Sequence, residues 1–230
     1  MPLRWAPAVA IGRAVRIAAR LRRPGGGSAV PGLVVNRLAP GFLGSVLSSF
    51  PEGLVVVSGS AGKSTTTKML VAVLEAHGKR VFTNPSTANI SQGLTSSLLE
   101  RANLGGRIDA DVAVLEMDEG HGALLSDRFR SRVVLLTNVM TDQIDRFHDS
   151  EKVLGMLRRI AATATDRLVV NGDDGLLARI RAAVPVRRFG VTDAVLAQAP
   201  RGLGYAGTTP TRIDDGVLVT AVAGRDATVV

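Results

Sequence analysis

The stretch Val55-Val56-Val57-Ser58-Gly59-Ser60-Ala61-Gly62-Lys63-Ser64-Thr65-Thr66-Thr67 decides the fold. Leu54 to Val57 is a short continuous apolar run, the pattern of a strand buried on both faces. A glycine-bearing turn follows, and the spacing then predicts a helix over 63–77. Strand, glycine turn and helix in that order are the setting of a phosphate-binding loop. Glycines let backbone N–H groups wrap an anion, and the helix N-terminus adds partial positive charge. In that setting Lys63 reaches terminal phosphates and Ser64 ligates Mg2+. The string itself is the shortened G-x-x-G-K-[ST], because Val57 stands where the longer form has its first glycine. Its plainer alternative is a structural glycine turn beside a surface lysine. The candidate nucleotide-phosphate residues are Gly59, Ser60, Ala61, Gly62, Lys63, Ser64 and Thr65.

Outward from the loop, apolar runs alternate with helical patterns. Val81-Phe82 reads as a short strand and the region near 89–100 as a helix. Val112–Leu115 and Val133–Leu136 are strands, with a helix near 150–163 after the second. Leu168–Val170 is a strand, 174–182 a helix, and Val186 to Phe189 a further strand. Such runs separated by helices predict an α/β fold with a mostly parallel sheet and helices on both faces. After residue 205 the turns Asp214-Asp215-Gly216 and Gly224-Arg225-Asp226 predict a short antiparallel β segment.

The chain has 230 residues and a net charge of +8, and its first fifty residues hold seven arginines and no acid. The rest is therefore nearly neutral, which argues against a folded nucleic-acid-binding face. Aromatic residues make up 3%, too few for stacking single-stranded bases. With no cysteine there is no disulfide, thiolate zinc site or thiol nucleophile, so no zinc is expected. No apolar run reaches the ~18 residues of a membrane span. Residues 8–22 read as a helix, with Ile11, Ala14, Val15, Ala18 and Leu21 on one side and Arg13, Arg16, Arg20 and Arg23 on another. Arginines interrupt what would be the apolar core of a signal peptide. Two readings stay open: a helix packed on its own domain with a solvated basic face, or a helix lying on a membrane surface. The expected organisation is a basic helix and lead-in over 1–50 and a central domain over 51–230.

A phosphate site that uses Mg2+ needs a carboxylate. Glu116 ends the strand 112–115, on the side where a parallel sheet faces its ligand crevice. Asp118 and Glu119 follow it, and their plain alternative is a helix N-cap with first-turn charge. The polar segment Thr137–Phe147 ends the next strand and belongs to the same crevice. Asn171-Gly172-Asp173-Asp174 reads first as a turn plus cap. His77, His121 and His148 show no metal-ligand spacing.

Together these segments resemble the Mur ligase family, ATP-dependent enzymes that form amide bonds through an acyl phosphate. The likeness rests on Gly59–Thr66, Glu116 and Thr137-Asn138 through Asp142 and Asp145. Within the family it is closest to the MurT-type branch. The segments that carry this are Arg23–Gly32, Thr83-Asn84-Pro85-Ser86-Thr87-Ala88-Asn89-Ile90, Leu115–Glu119 and Asp142-Gln143-Ile144-Asp145-Arg146-Phe147. Gln143 stands where amino-acid-adding members usually have His.

The resemblance implies a P-loop central domain that uses ATP and Mg2+, with Ser64 and Glu116 holding the metal. It implies Asn89, Asn138, Asp142, Gln143 and Asp145 as substrate or second-layer residues. It implies activation of the D-Glu α-carboxylate of lipid II and its amidation with ammonia from a GatD-type glutamine amidotransferase. That chemistry belongs to peptidoglycan precursor synthesis, in the cytoplasm or at the inner face of the membrane. The family's catalytic Asp is expected in a C-terminal domain beyond Val230, which leaves this chain with no assigned catalytic residue. The alternatives are another Mur-like ligase, folylpolyglutamate-forming or amino-acid-adding, or a nucleotide-binding module without chemistry. Gln143 and the lack of a clear lysine near Arg158 count against the first of these.

Overall fold

Among the described residues, six strands form one sheet whose paired neighbours all run parallel: β1 (Leu54–Ser58), β2 (Val81–Thr83), β3 (Val112–Glu116), β4 (Ser131–Leu136), β5 (Ala164–Asn171) and β6 (Val186–Phe189). Their order across the sheet is β2-β3-β1-β4-β5-β6. The structure is a computed structural model and describes residues 4–22, 29–85, 91–140 and 150–190. From β1 the chain moves to one edge, returns through β3, and then crosses to β4 on the other side. β1 thus lies between β3 and β4, and the strand order reverses around it. In open parallel sheets this reversal opens a ligand crevice at the carboxyl ends of the strands.

The helices are α1 (Ala6–Arg22), α2 (Val30–Leu38), α3 (Phe42–Leu47), α4 (Lys63–Ala76), α5 (Ser91–Arg101), α6 (Glu119–Leu125) and α7 (Ser150–Ala161). The strands, α4 and α7 fall close to where the sequence spacing puts them. The antiparallel segment expected after 205 lies outside the described residues.

Over 174–182 the structure corrects the sequence reading. A single 3-10 turn, Leu177–Arg179, stands where a helix was expected, and Ile180 is already extended at φ −73 and ψ 131. The 3-10 form has three residues per turn, so side chains at i and i+3 eclipse. Leu177 and Ile180 therefore enter the core together, at 0% and 2% exposure. One tight turn buries the apolar residues that suggested a longer helix.

The lead-in is more ordered than its glycines and prolines suggest. Val9, Val35, Phe42, Leu43, Val46 and Leu47 are buried in one continuous core with Leu54, Val56, Leu115, Leu136 and Leu168. Each such side chain stabilises the fold by about 1.5–3 kcal/mol. Trp5 meets Phe42 edge-on at 5.7 Å and donates its indole N–H to Ser45 Oγ at 3.0 Å.

Glycines set the helix crossings. A Cβ on Gly32 would lie 1.9 Å from the Gln92 carbonyl, and its N–H donates to Ser96 Oγ at 2.8 Å. That crossing holds α2 backbone-close to α5. A Cβ on Gly12 would lie 2.8 Å from Leu99 Cδ1, which brings α1 onto the same helix.

α1 packs on its own domain, but not by the face the sequence pattern favours. Ala8, Val9 and Gly12 face inward, whereas Ile11, Ala14, Ala18 and Leu21 are exposed. Nor is its basic side wholly solvated. Arg13 donates to the Ala102 carbonyl at 2.6 Å. Arg16 donates to the Ser96 carbonyl at 2.5 Å and pairs with Glu100 at 3.0 Å. The long arginine stems fill the space left by the small residues at the contact.

Candidate nucleotide site

The loop after β1 runs into the N-terminus of α4. Gly59 takes φ 131 and Gly62, the N-cap of α4, takes φ 79 in the left-handed region. At Gly59 space is also decisive, since a Cβ there would lie 2.3 Å from Thr137 Oγ1 and 3.0 Å from the Asn138 N atom. Glycine is needed because the loop passes against the end of β4.

The loop is braced by that same strand end. Ser60 N donates to the Asn138 carbonyl at 2.9 Å, and Ala61 N donates to Asn138 Oδ1 at 2.8 Å. Thr137 Oγ1 donates to the Ala61 carbonyl at 2.7 Å, with Asn138 Nδ2 adding a longer bond to it at 3.3 Å. Asn138 therefore acts on the loop backbone, in the second layer. On the other side, Ser58 Oγ donates to the Met117 carbonyl at 2.9 Å, tying β1 to the end of β3.

Lys63 folds back over the loop. Its Nζ donates to the Gly59 carbonyl at 2.5 Å and to the Ser60 carbonyl at 3.1 Å, and sits 3.5 Å from Glu119 Oε2. Neither Glu119 oxygen has a hydrogen-bond partner, and the side chain is 1% exposed. Lys63 is its ion-pair partner. Ser64 Oγ donates to Glu116 Oε1 at 2.9 Å. That pair brings two hard oxygen donors together beside the loop, as few protein oxygens as Mg2+ commonly takes. Among the described residues no group of three or more His, Asp or Glu side chains forms a metal cluster. Thr65 is exposed in the first turn of α4.

Glu116 is positioned by Asn84, at the end of β2. Asn84 Oδ1 accepts from Glu116 N and Asn84 Nδ2 donates to the Glu116 carbonyl, both at 3.0 Å. Sequence reasoning gave Asn84 no role at the site. Its visible signal is a polar residue just past a strand, but only the β2–β3 pairing puts it beside Glu116.

Asp118 caps α6 by accepting from Gly120 N at 3.1 Å and His121 N at 3.4 Å, its plain alternative. Asp174 accepts from Leu176 N and Leu177 N, and its other oxygen accepts from Val139 N at 2.6 Å. It holds the segment after β4 in place. Asn89, Asp142, Gln143 and Asp145 lie outside the described residues.

A cleft of about 800 Å³ opens from Ser64 and Glu116 toward α5, past Thr67, Lys68, Thr83 and Arg101. The Thr67 and Thr83 hydroxyls are buried there without hydrogen-bond partners. Anion loop, serine–carboxylate pair and cleft thus share the carboxyl ends of β1, β3 and β4 and the neighbouring edge of β2.

A parallel sheet with such a loop at its point of strand reversal defines a P-loop domain. The Mur ligase middle domain matches residues 57–201, and the chain belongs to the Mur ligase family. It is 31% identical over 189 residues to "Lipid II isoglutaminyl synthase (glutamine-hydrolyzing) subunit MurT" of Streptococcus pneumoniae, covering 82% of this chain and 41% of that protein. It is 30% identical over 156 residues to the UDP-N-acetylmuramoylalanine--D-glutamate ligase of Syntrophotalea carbinolica, covering 67% and 32%. Among solved structures, MurF ligase from Thermotoga maritima in complex with ADP superposes with a TM-score of 0.54 at 24% identity. That match covers 71% of this chain and 37% of MurF and supports the shared fold. The chain spans less than half the length of each of these proteins.

Proposed function

We propose that this chain supplies the ATP-binding part of a carbon–nitrogen ligase of peptidoglycan precursor synthesis, of the MurT type. The observation that carries the proposal is the Ser64–Glu116 pair at 2.9 Å beside the braced glycine loop. The pneumococcal relative, named as a subunit of a glutamine-hydrolyzing lipid II isoglutaminyl synthase, supports the branch. The reaction we propose is amidation of the D-Glu α-carboxylate of lipid II, with ammonia from a GatD-type glutamine amidotransferase.

In that reaction a carboxylate oxygen attacks the γ-phosphorus of ATP, giving an acyl phosphate and ADP. Ammonia then attacks the acyl carbon, phosphate leaves, and the amide forms with loss of a proton. Phosphoryl transfer of this kind is mostly positioning and charge neutralisation. Backbone N–H groups of residues 59–64 and the α4 N-terminus hold the phosphates. Lys63 swings from the Gly59 and Ser60 carbonyls to the terminal phosphates. Ser64 and Glu116 hold Mg2+, which when bound offsets the charge of the transferring group. The acceptor carboxylate enters by the cleft, which Lys68 and Arg101 line. Asn89, Asp142, Gln143 and Asp145 complete the acceptor side. The work is done at the inner face of the membrane, where such a lipid-linked acceptor is found.

Calorimetry with Mg·ATP on this chain and on Lys63→Ala, both checked for folding by circular dichroism, tests the site. Binding by the parent and a loss of ~10-fold or more in the folded variant, about 1.4 kcal/mol, is expected. No binding by either overturns the nucleotide reading. The branch is tested by amide formation on lipid II with the amidotransferase and glutamine.

A further inference from the structure

The outward face of α1 is apolar. Ala10, Ile11, Ala14, Ile17, Ala18 and Leu21 recur at three- and four-residue intervals along one stripe of the helix, and all are exposed. Ile17 and Leu21 are 61% and 81% exposed. Such a stripe on a helix already packed against its domain marks a contact surface.

We infer that this face docks on an anionic lipid bilayer, with α1 lying in the plane of the interface. The inference rests on the peripheral location proposed above and supplies its physical basis, while being independent of nucleotide binding. Charge selects the occupant. Within the first fifty residues there are seven arginines and no acid. Of those on α1, Arg16 is already paired with Glu100, whereas Arg13 is exposed. Arg4 is exposed as well, and Arg37 is exposed on α2 together with Val30, Leu33 and Leu38. A second copy docked face to face would bring this arginine-rich segment against itself, like charge on like. Anionic headgroups neutralise it. The apolar stripe enters the headgroup–acyl boundary, the binding mode of interfacial amphipathic helices. Spanning is a different matter, because among the described residues no helix is long and apolar enough to cross a membrane.

Vesicle co-sedimentation of the full chain tests this, using phosphatidylcholine alone and phosphatidylcholine mixed with phosphatidylglycerol. Binding to the mixed vesicles only, weakened by added salt, is expected. Ile17→Glu and Leu21→Glu should each lower it ~10-fold or more, and both sites are exposed, so folding is spared. No binding to either vesicle, or equal binding to both, overturns the proposal. So does a dimer in light scattering that Ile17→Glu dissolves. Mg·ATP calorimetry on the same variants keeps the two readings apart: unchanged nucleotide affinity with lost vesicle binding assigns the surface to lipid alone.

Discussion

Lys63 Nζ lies 3.5 Å from Glu119 Oε2, and the Glu119 carboxylate is buried with neither oxygen hydrogen-bonded. The lysine of the phosphate loop is therefore also the counter-charge of an interior acid. Removing one member of a buried pair leaves the other uncompensated, which costs more than the pair contributes. Lys63→Met should destabilise the fold by about 2–4 kcal/mol. Glu119→Gln in the same chain should return much of that loss. Urea denaturation of the two single variants and the double variant measures it. Equal stability of Lys63→Met and the double variant would rule out the coupling.

The two loop glycines should respond unequally to alanine. Gly59→Ala places a methyl 2.3 Å from Thr137 Oγ1 at φ 131, so the loop must leave its brace. Gly62→Ala meets nothing within 4 Å and bears only the left-handed backbone penalty, roughly 1–2 kcal/mol. Mg·ATP affinity should be lost in the first and fall by less than about tenfold in the second. Calorimetry on folded samples of both decides it.

Asn138 offers a test in which the closer substitute is the worse one. Asn138→Ala removes the acceptor for Ala61 N but leaves the Asn138 carbonyl bond to Ser60 N. Each net hydrogen bond is worth about 1 kcal/mol, so stability should fall by about that much and nucleotide affinity by ~5-fold. Asn138→Asp keeps the acceptor yet faces the Ala61 carbonyl with an oxygen and adds negative charge beside the phosphate loop. Its Mg·ATP affinity should fall below that of Asn138→Ala. The reverse order would show that Asn138 does not shape the loop.

Arg80 gathers Asp109 and Asp111 where β2 and β3 begin, and its side-chain hydrogen bond to Asp111 holds that carboxyl at about 2. A carboxyl lowered from 3.8 adds stability above its ordinary value. That contribution fades as pH falls from about 4 to about 2. The cluster is open to solvent, so no change is expected from it near neutral pH. In Arg80→Ala the Asp111 titration followed by NMR should return toward 3.8. A midpoint left near 2 would mean that Arg80 is not the cause.

Local patterns in the sequence already carry the strands and the loop. Leu54–Val57 and Val133–Leu136 read as strands because continuous apolar runs of that length suit a buried parallel sheet. Lys63 and Ser64 fall at the start of α4 as the motif requires. The helix expected over 174–182 shrank to one turn because Leu177 and Ile180 satisfy a three-residue period as well as a helical one. α2 and α3 were hidden by Pro31, Gly32, Pro40, Gly41 and Gly44, which resemble linker chemistry until α5 and the Arg128 carbonyl are seen packed against the glycines. Asn84 and Glu119 gained their roles from strand neighbours far apart in the chain, and no local spacing encodes which strands adjoin. Asp118 kept its cap reading because capping is a local relationship.

α1 rests directly on α5, through Gly12 on Leu99 and Arg16 on Ser96 and Glu100, and Ser97, Glu100 and Arg101 of α5 line the cleft. α5 alone, a helix about 10 Å across, thus lies between the surface-docking helix and the cleft. With α1 laid on a bilayer, α5 acts as a fixed spacer and sets the standoff at which the cleft meets a headgroup. The glycine crossings keep that spacer thin, so a bulky residue at Gly12 would raise the cleft as well as loosen the packing.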